Sequence, residues 1–133
     1  MGAKQLKNGN RDEDLVVSTF KKHGYWCHNF AKGKAGDQPC DIVALKGNTN
    51  WLVDVKNVEN GVSFPISRIE PNQWACFDYA RNFAKIQNLG FVICFQRDDL
   101  KPLFLEYDKA LEMYKTGQKS INMSDLKGVE EYL

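Results

Sequence analysis

Two carboxylates and an amine fall close together in this 133-residue chain: Asp41, then Asp54 and Lys56 separated by one valine. Strand side chains alternate, so in an extended segment Asp54 and Lys56 share a face while Val55 turns into the opposite packing layer. Carboxylate oxygens are hard ligands that suit Mg2+ or Mn2+ and leave coordination positions for water and phosphate. A lysine beside them supplies positive charge where negative charge develops during phosphodiester hydrolysis. Ordinary solvated ion pairs on edge strands share the Asp-x-Lys spelling and contribute little energy, so the rest of the chain has to decide between the two.

Three further features bear on that choice. Glu13 lies in the first turn of an expected helix, where it could ligate a metal directly or through water, or close a capping box with Asn10. Gln73 lies in the first turn of a second expected helix, from which its amide could hold a water, a metal ligand or a phosphate. Lys32 and Lys34 occupy a glycine-rich loop just before Asp41, a composition suited to phosphate capture and equally to a plain hydrophilic loop. The net charge is only +1, but residues 1 to 34 carry seven Lys or Arg against three acids, an excess of four positive charges at one end of the chain.

These side chains need a scaffold. The length suits one domain, and 43% hydrophobic with 26% charged residues excludes bulk disorder and fibrous repeats. A flexible arm over residues 1–9 precedes a single domain over 10–133. Asn10 is placed to cap a first helix whose apolar positions Leu15, Val16 and Phe20 follow helical spacing up to Gly24. Residues 25–30, 40–46 and 50–56 read as strands, the last two joined by a hairpin at Gly47-Asn48-Thr49 that brings Asp41 beside Asp54. Pro71 suits the first turn of a second helix that runs toward Gly90. Phe91 to Phe95 reads as a buried strand and Leu103 to Leu105 as another. Asp108 is placed to cap a short helix ending at Gly117, and Ser124 to cap a last one near Leu133. The order is helix, three strands, helix, strand: an α/β domain with its carboxylates at one sheet edge.

The scattered Cys27, Cys40, Cys76 and Cys94 lack the short pairs of a zinc site and are expected as thiols. No stretch reaches the roughly 20 apolar residues of a membrane span, and the beginning lacks the apolar core of a secretory signal. The expectation is a cytoplasmic protein without a membrane partner.

The ordered set Asn10-Arg11-x-Glu13, Asp41, Asp54-x-Lys56, Ser63-Phe64-Pro65-Ile66-x-x-Ile69 and Gln73 resembles the PD-(D/E)xK nuclease superfamily. Within it the set is similar to the Holliday junction resolvases of the bacterial RecU type, and Pro39-x-Asp41-Ile42-Val43-Ala44-Leu45-Lys46 is similar to the archaeal Hjc type. The resemblance covers residues 10 to about 106. It implies a restriction-endonuclease-like core with a central mixed sheet flanked by helices. It further implies a Mg2+-dependent endonuclease, with Mn2+ substituting, that cuts branched or double-stranded DNA as a homodimer and resolves four-way junctions by paired nicks. Glu13, Asp41 and Asp54 would be the metal ligands, Lys56 the catalytic lysine, and Gln73 the supporting polar residue. Arg11, Lys32, Lys34 and Arg68 would contact nucleic acid. The family more often has Glu where this chain has Asp54, and the serine of the archaeal loop has no counterpart in Ala31 to Pro39. A nuclease of the same fold with another DNA preference and a non-catalytic, structure-selective DNA-binding protein are the competing expectations.

Overall fold

The structure, a computed structural model, describes residues 2–30, 40–97 and 101–133. Helix α1 (Gly2–Lys22) leads into β1 (Trp26–Asn29), β2 (Ile42–Lys46) and the long β3 (Thr49–Val58). A short strand β4 (Ser63–Pro65) and a 3-10 turn over Ile66–Arg68 precede α2 (Pro71–Asn82). Then come β5 (Asn88–Phe95), β6 (Pro102–Glu106), α3 (Tyr107–Thr116), β7 (Ser120–Asn122) and β8 (Lys127–Gly128). Among the described residues the main sheet has the order β1-β2-β3-β5-β6-β8, and β4 pairs with β7 in a small second sheet. The only parallel neighbours among its described pairings are β3 and β5, and α2 lies on the crossover that parallel strands require. This is the mixed, helix-flanked α/β architecture expected from the motif order.

Each face of the sheet has its own core. On one, Val16 and Phe20 of α1 pack on Ile42, Ala44, Trp51, Val53, Val92 and Cys94. On the other, Phe77 and Ala80 of α2 and Ala110 and Met113 of α3 close over Phe91, Ile93, Phe95 and Leu105. The uninterrupted apolar run of β5 follows from burial on both faces. Burying a side chain such as Phe20 stabilises the fold by roughly 1.5–3 kcal/mol relative to exposure. A two-residue turn, Gly47-Asn48, joins β2 to β3 with Lys46 opposite Thr49. Gly47 has φ +57°, the left-handed value that the first position of a type II′ hairpin turn needs.

Four expectations fail locally. Helix α1 starts at Gly2 and not at Asn10, so residues 2–9, read as an arm, belong to the helix; Ala3-Lys4-Gln5-Leu6-Lys7 are strong helix formers that carry it past the cap signal. Helix α2 ends at Asn82, well short of Gly90. Arg81 Nη1 donates to the carbonyls of Ile86 (2.8 Å) and Gln87 (2.7 Å), turning the chain toward β5. Gly90 stands inside β5 because a Cβ there would lie 2.4 Å from the Leu105 carbonyl oxygen. Glu106, not Asp108, occupies the N-cap of α3, whose end at a left-handed Gly117 agrees with expectation. No α-helix forms from Ser124: the Asn122 side chain accepts from the Ser124 amide at 3.0 Å in a 3-10 turn, and β8 then extends the sheet against Leu103 and Phe104. Among the described residues no helix is long and apolar enough to cross a membrane.

Candidate active site

Strand β3 outruns β2. The last ladder pair is Ile42 with Val53, and beyond it the two strands exchange bonds through side chains. The Asp41 amide donates to Asp54 Oδ1 at 3.0 Å, and Asp41 Oδ2 accepts from the Val55 amide at 2.8 Å. Each carboxylate therefore takes the place of a backbone carbonyl at the point where the strands part. Lys56, one pleat beyond Asp54, donates from Nζ to Gln73 Oε1 at 2.9 Å and to the Arg68 carbonyl at 3.3 Å. Gln73 Oε1 also accepts from the Glu70 amide at 3.0 Å, which ties the first turn of α2 to the lysine.

Burial sets the electrostatics. Asp54 is 3% exposed, and its Oδ2 has no hydrogen-bond partner. Desolvation disfavours the anion and the neighbouring Asp41 charge adds to it; Lys56 and the Asp41 amide pull the other way, and the Asp54 carboxyl is pushed up to about 7. Asp41 also sits above the usual carboxylate range, chiefly through burial, against the Val55 amide and Lys56. Burial pulls Lys56 below its ordinary value while the two aspartates resist.

A cleft of about 550 Å³ opens beside this edge of β3, lined by Lys56 and Asn57, by Asp12 and Glu13 of α1, and by Glu59 and Arg68. Glu13 Oε1 is 3.5 Å from Asn29 Nδ2. Arg68 lies 5.5 Å from the Phe64 ring centroid and donates to the Asn57 carbonyl and, at 3.4 Å, to Asn57 Oδ1. The fold thus sets Asp41 against Asp54 and Lys56 against Gln73, couples the lysine electrostatically to both aspartates, and puts Glu13 and Arg68 on the adjoining cleft wall. Arg11, which is outside the cleft lining, donates from Nη2 to Gln96 Oε1 and lies 3.9 Å through Nε from Asp12 Oδ1. Lys32 and Lys34 lie outside the described residues.

Asp12 is the acid that sequence reading missed. It is 0% exposed and bonds to Gln96 Nε2 at 2.9 Å through Oδ2, while Oδ1 is buried with no hydrogen-bond partner. Burial raises its pKa against the pull of Gln96 and Arg11. The signal was available: Asp12 stands four residues before Val16 and eight before Phe20, on the buried stripe of α1.

The donor set fits a hard divalent cation. A paired, desolvated carboxylate with one unsatisfied oxygen is what such an ion relieves. Asp41 and Asp54 would hold it, with Asp12, Glu13 and Glu59 the carboxylates on the adjoining cleft wall. Among the described residues no three His, Cys, Asp or Glu side chains already form a cage.

No protein-family model matches the chain, and no curated protein matches it. Among solved structures it is similar to Archaeoglobus fulgidus Hjc, a Holliday junction resolvase from an archaeal hyperthermophile. The TM-score is 0.64 at 18% sequence identity, over 93% of this chain and 98% of that one. At that identity the likeness is one of fold: the chain shares the mixed-sheet α/β fold of Hjc.

Proposed function

We propose that this chain is a metal-dependent endodeoxyribonuclease, and that its substrate is branched DNA, a four-way junction above all. The observation that carries the reading is the unpartnered Oδ2 of buried Asp54, set against Asp41 and one pleat from Lys56. A bound divalent cation supplies Lewis acidity and a water of lowered pKa. Lys56 places positive charge beside the phosphate oxygens on which negative charge builds, and Gln73 keeps its nitrogen in place. Arg68, on the cleft wall, would anchor the DNA backbone, and Arg11, Lys32 and Lys34 would supply further phosphate contacts.

Paired nicks need paired sites, and two-fold association is the commonest way to supply them. Exposed aromatics support a homodimer. Trp26 is 62% exposed on β1 and Phe83 is 72% exposed after α2, stacked on Tyr79 with centroids 5.0 Å apart. Residues so large and apolar favour a partner surface.

The test is cleavage of matched linear, nicked, flap and four-way DNAs with and without Mg2+ or Mn2+. The expected outcome is symmetric incision of the four-way substrate by a dimer, abolished in Lys56→Ala. Equal cutting of linear and four-way DNA would leave a nuclease with another preference. A second reading, structure-selective DNA binding without hydrolysis, is favoured by the lack of a preformed three-carboxylate cage among the described residues. It predicts salt-dependent binding and no incision with either metal.

A further inference from the structure

Gln96, the residue that follows β5, uses both ends of its amide to bind α1. Its Nε2 donates to Asp12 Oδ2 at 2.9 Å and to the Cys94 carbonyl at 3.2 Å, and its Oε1 accepts from Arg11 Nη2. Its backbone amide donates to the Val58 carbonyl at 2.9 Å, which fixes it where β3 and β5 run out together. The amide has one orientation here: turned over, its NH2 would face a guanidinium, which only donates, and its carbonyl would face a carboxylate, which only accepts. Arg11 is held through Nη2 by Gln96 and lies 3.9 Å through Nε from Asp12 Oδ1, while its side chain stays 56% exposed; the next two residues of α1, Asp12 and Glu13, line the cleft. Asp12, buried with no hydrogen bond to Oδ1 and only the Arg11 Nε 3.9 Å from it, is more than packing requires, since an alanine would fill a helix stripe without desolvating a charge.

We infer that Gln96 is a positioning residue for DNA: with Asp12 behind it, it holds the Arg11 guanidinium in place so that it meets a phosphate of the bound strand. This rests on the nuclease reading above and names a device within it. Gln96 acts through Arg11, so removing a neutral amide should look like removing a charge.

The experiment measures affinity for a synthetic four-way junction against salt concentration, without divalent cation, for wild type, Arg11→Ala, Gln96→Leu and the double variant, each with a thermal melt. Arg11→Ala lowers the salt slope by about 1, as loss of one phosphate contact does. Gln96→Leu, which changes no charge, is expected to lower the slope by about the same amount and affinity roughly tenfold, and the double variant is expected to lose no more than Arg11→Ala alone. An unchanged slope in a folded Gln96→Leu protein, or single losses that multiply in the double variant, overturns the inference. Should Gln96→Leu fail to fold, Arg11→Lys decides, because it keeps the charge and the exposed position but not the fork that reaches Gln96. It is expected to bind as weakly as Arg11→Ala, and wild-type affinity in Arg11→Lys overturns the inference. A wild-type protein that cuts junctions while these couplings are absent sinks only the Gln96 role, whereas one with no affinity for DNA sinks the nuclease reading as well.

Discussion

Strands β3 and β5 carry a polar cleft at each end, and the two differ in kind. At the start of the strands, Asn48, Thr49, Asn50, Lys85 and Asn88 line about 230 Å³. The Asn88 amide there donates to the Asn50 carbonyl at 3.3 Å, and Lys85, the one ionisable side chain lining it, is exposed to solvent. At the far end Asp54, Asp41 and Lys56 are ionisable, desolvated and pushed toward their neutral forms. Polarity alone does not mark a functional site. Buried groups whose charges the fold leaves uncompensated do.

The largest expected effect is on turnover. Asp54→Asn and Lys56→Ala should each lower the rate of DNA cleavage by at least roughly 10²–10³-fold, whereas Asn88→Ala at the other end should leave it within about twofold; a radiolabelled or fluorescent junction assay reads both. Next comes cation binding. Mg2+ or Mn2+ at 100 times its dissociation constant should stabilise the wild type by about 2.7 kcal/mol in a thermal melt, should do so for Asn88→Ala too, and should lose this effect in Asp54→Asn.

A third expectation follows from the sign of the Asp54 shift. Its folded pKa, about 7, exceeds the ordinary 3.8, so the native state holds the extra proton between those values. The stability this gives is complete below about pH 4 and is lost as pH rises through 7, leaving a buried anion. Asp54→Asn, permanently neutral, should therefore be more stable than wild type at pH 8 without metal, on the order of 2 kcal/mol, with the difference vanishing at pH 4 and below in denaturant titrations. A less stable Asp54→Asn at pH 8 would remove the contrast between the two clefts. Smallest is the effect of Asn88→Ala itself, about 1 kcal/mol or less and flat across the same pH range.

Much of the far end was legible in the chain. Alternation placed Asp54 and Lys56 on one face, the glycine turn brought Asp41 across from them, and Pro71 located the helix turn that carries Gln73. What escaped depends on contacts between distant segments. Asp12 meets Gln96 across 84 positions of sequence, and no local pattern marks a glutamine after an apolar strand as a partner for a helix. The helix boundaries failed for a related reason. Asn10 has the form of a cap but lies in a helix that continues through it, and Gly90 has the form of a stop but marks a strand position with no room for a side chain.

The carbonyl oxygen of Gln73 receives two hydrogen bonds, one from the start of α2 and one from Lys56. A chemist wishing to retune that amine by replacing the glutamine would also alter how firmly the helix begins, since a single acceptor atom answers to both. Reactivity and local folding are joined at this oxygen like two instruments on one string, and neither can be adjusted there while the other is held constant.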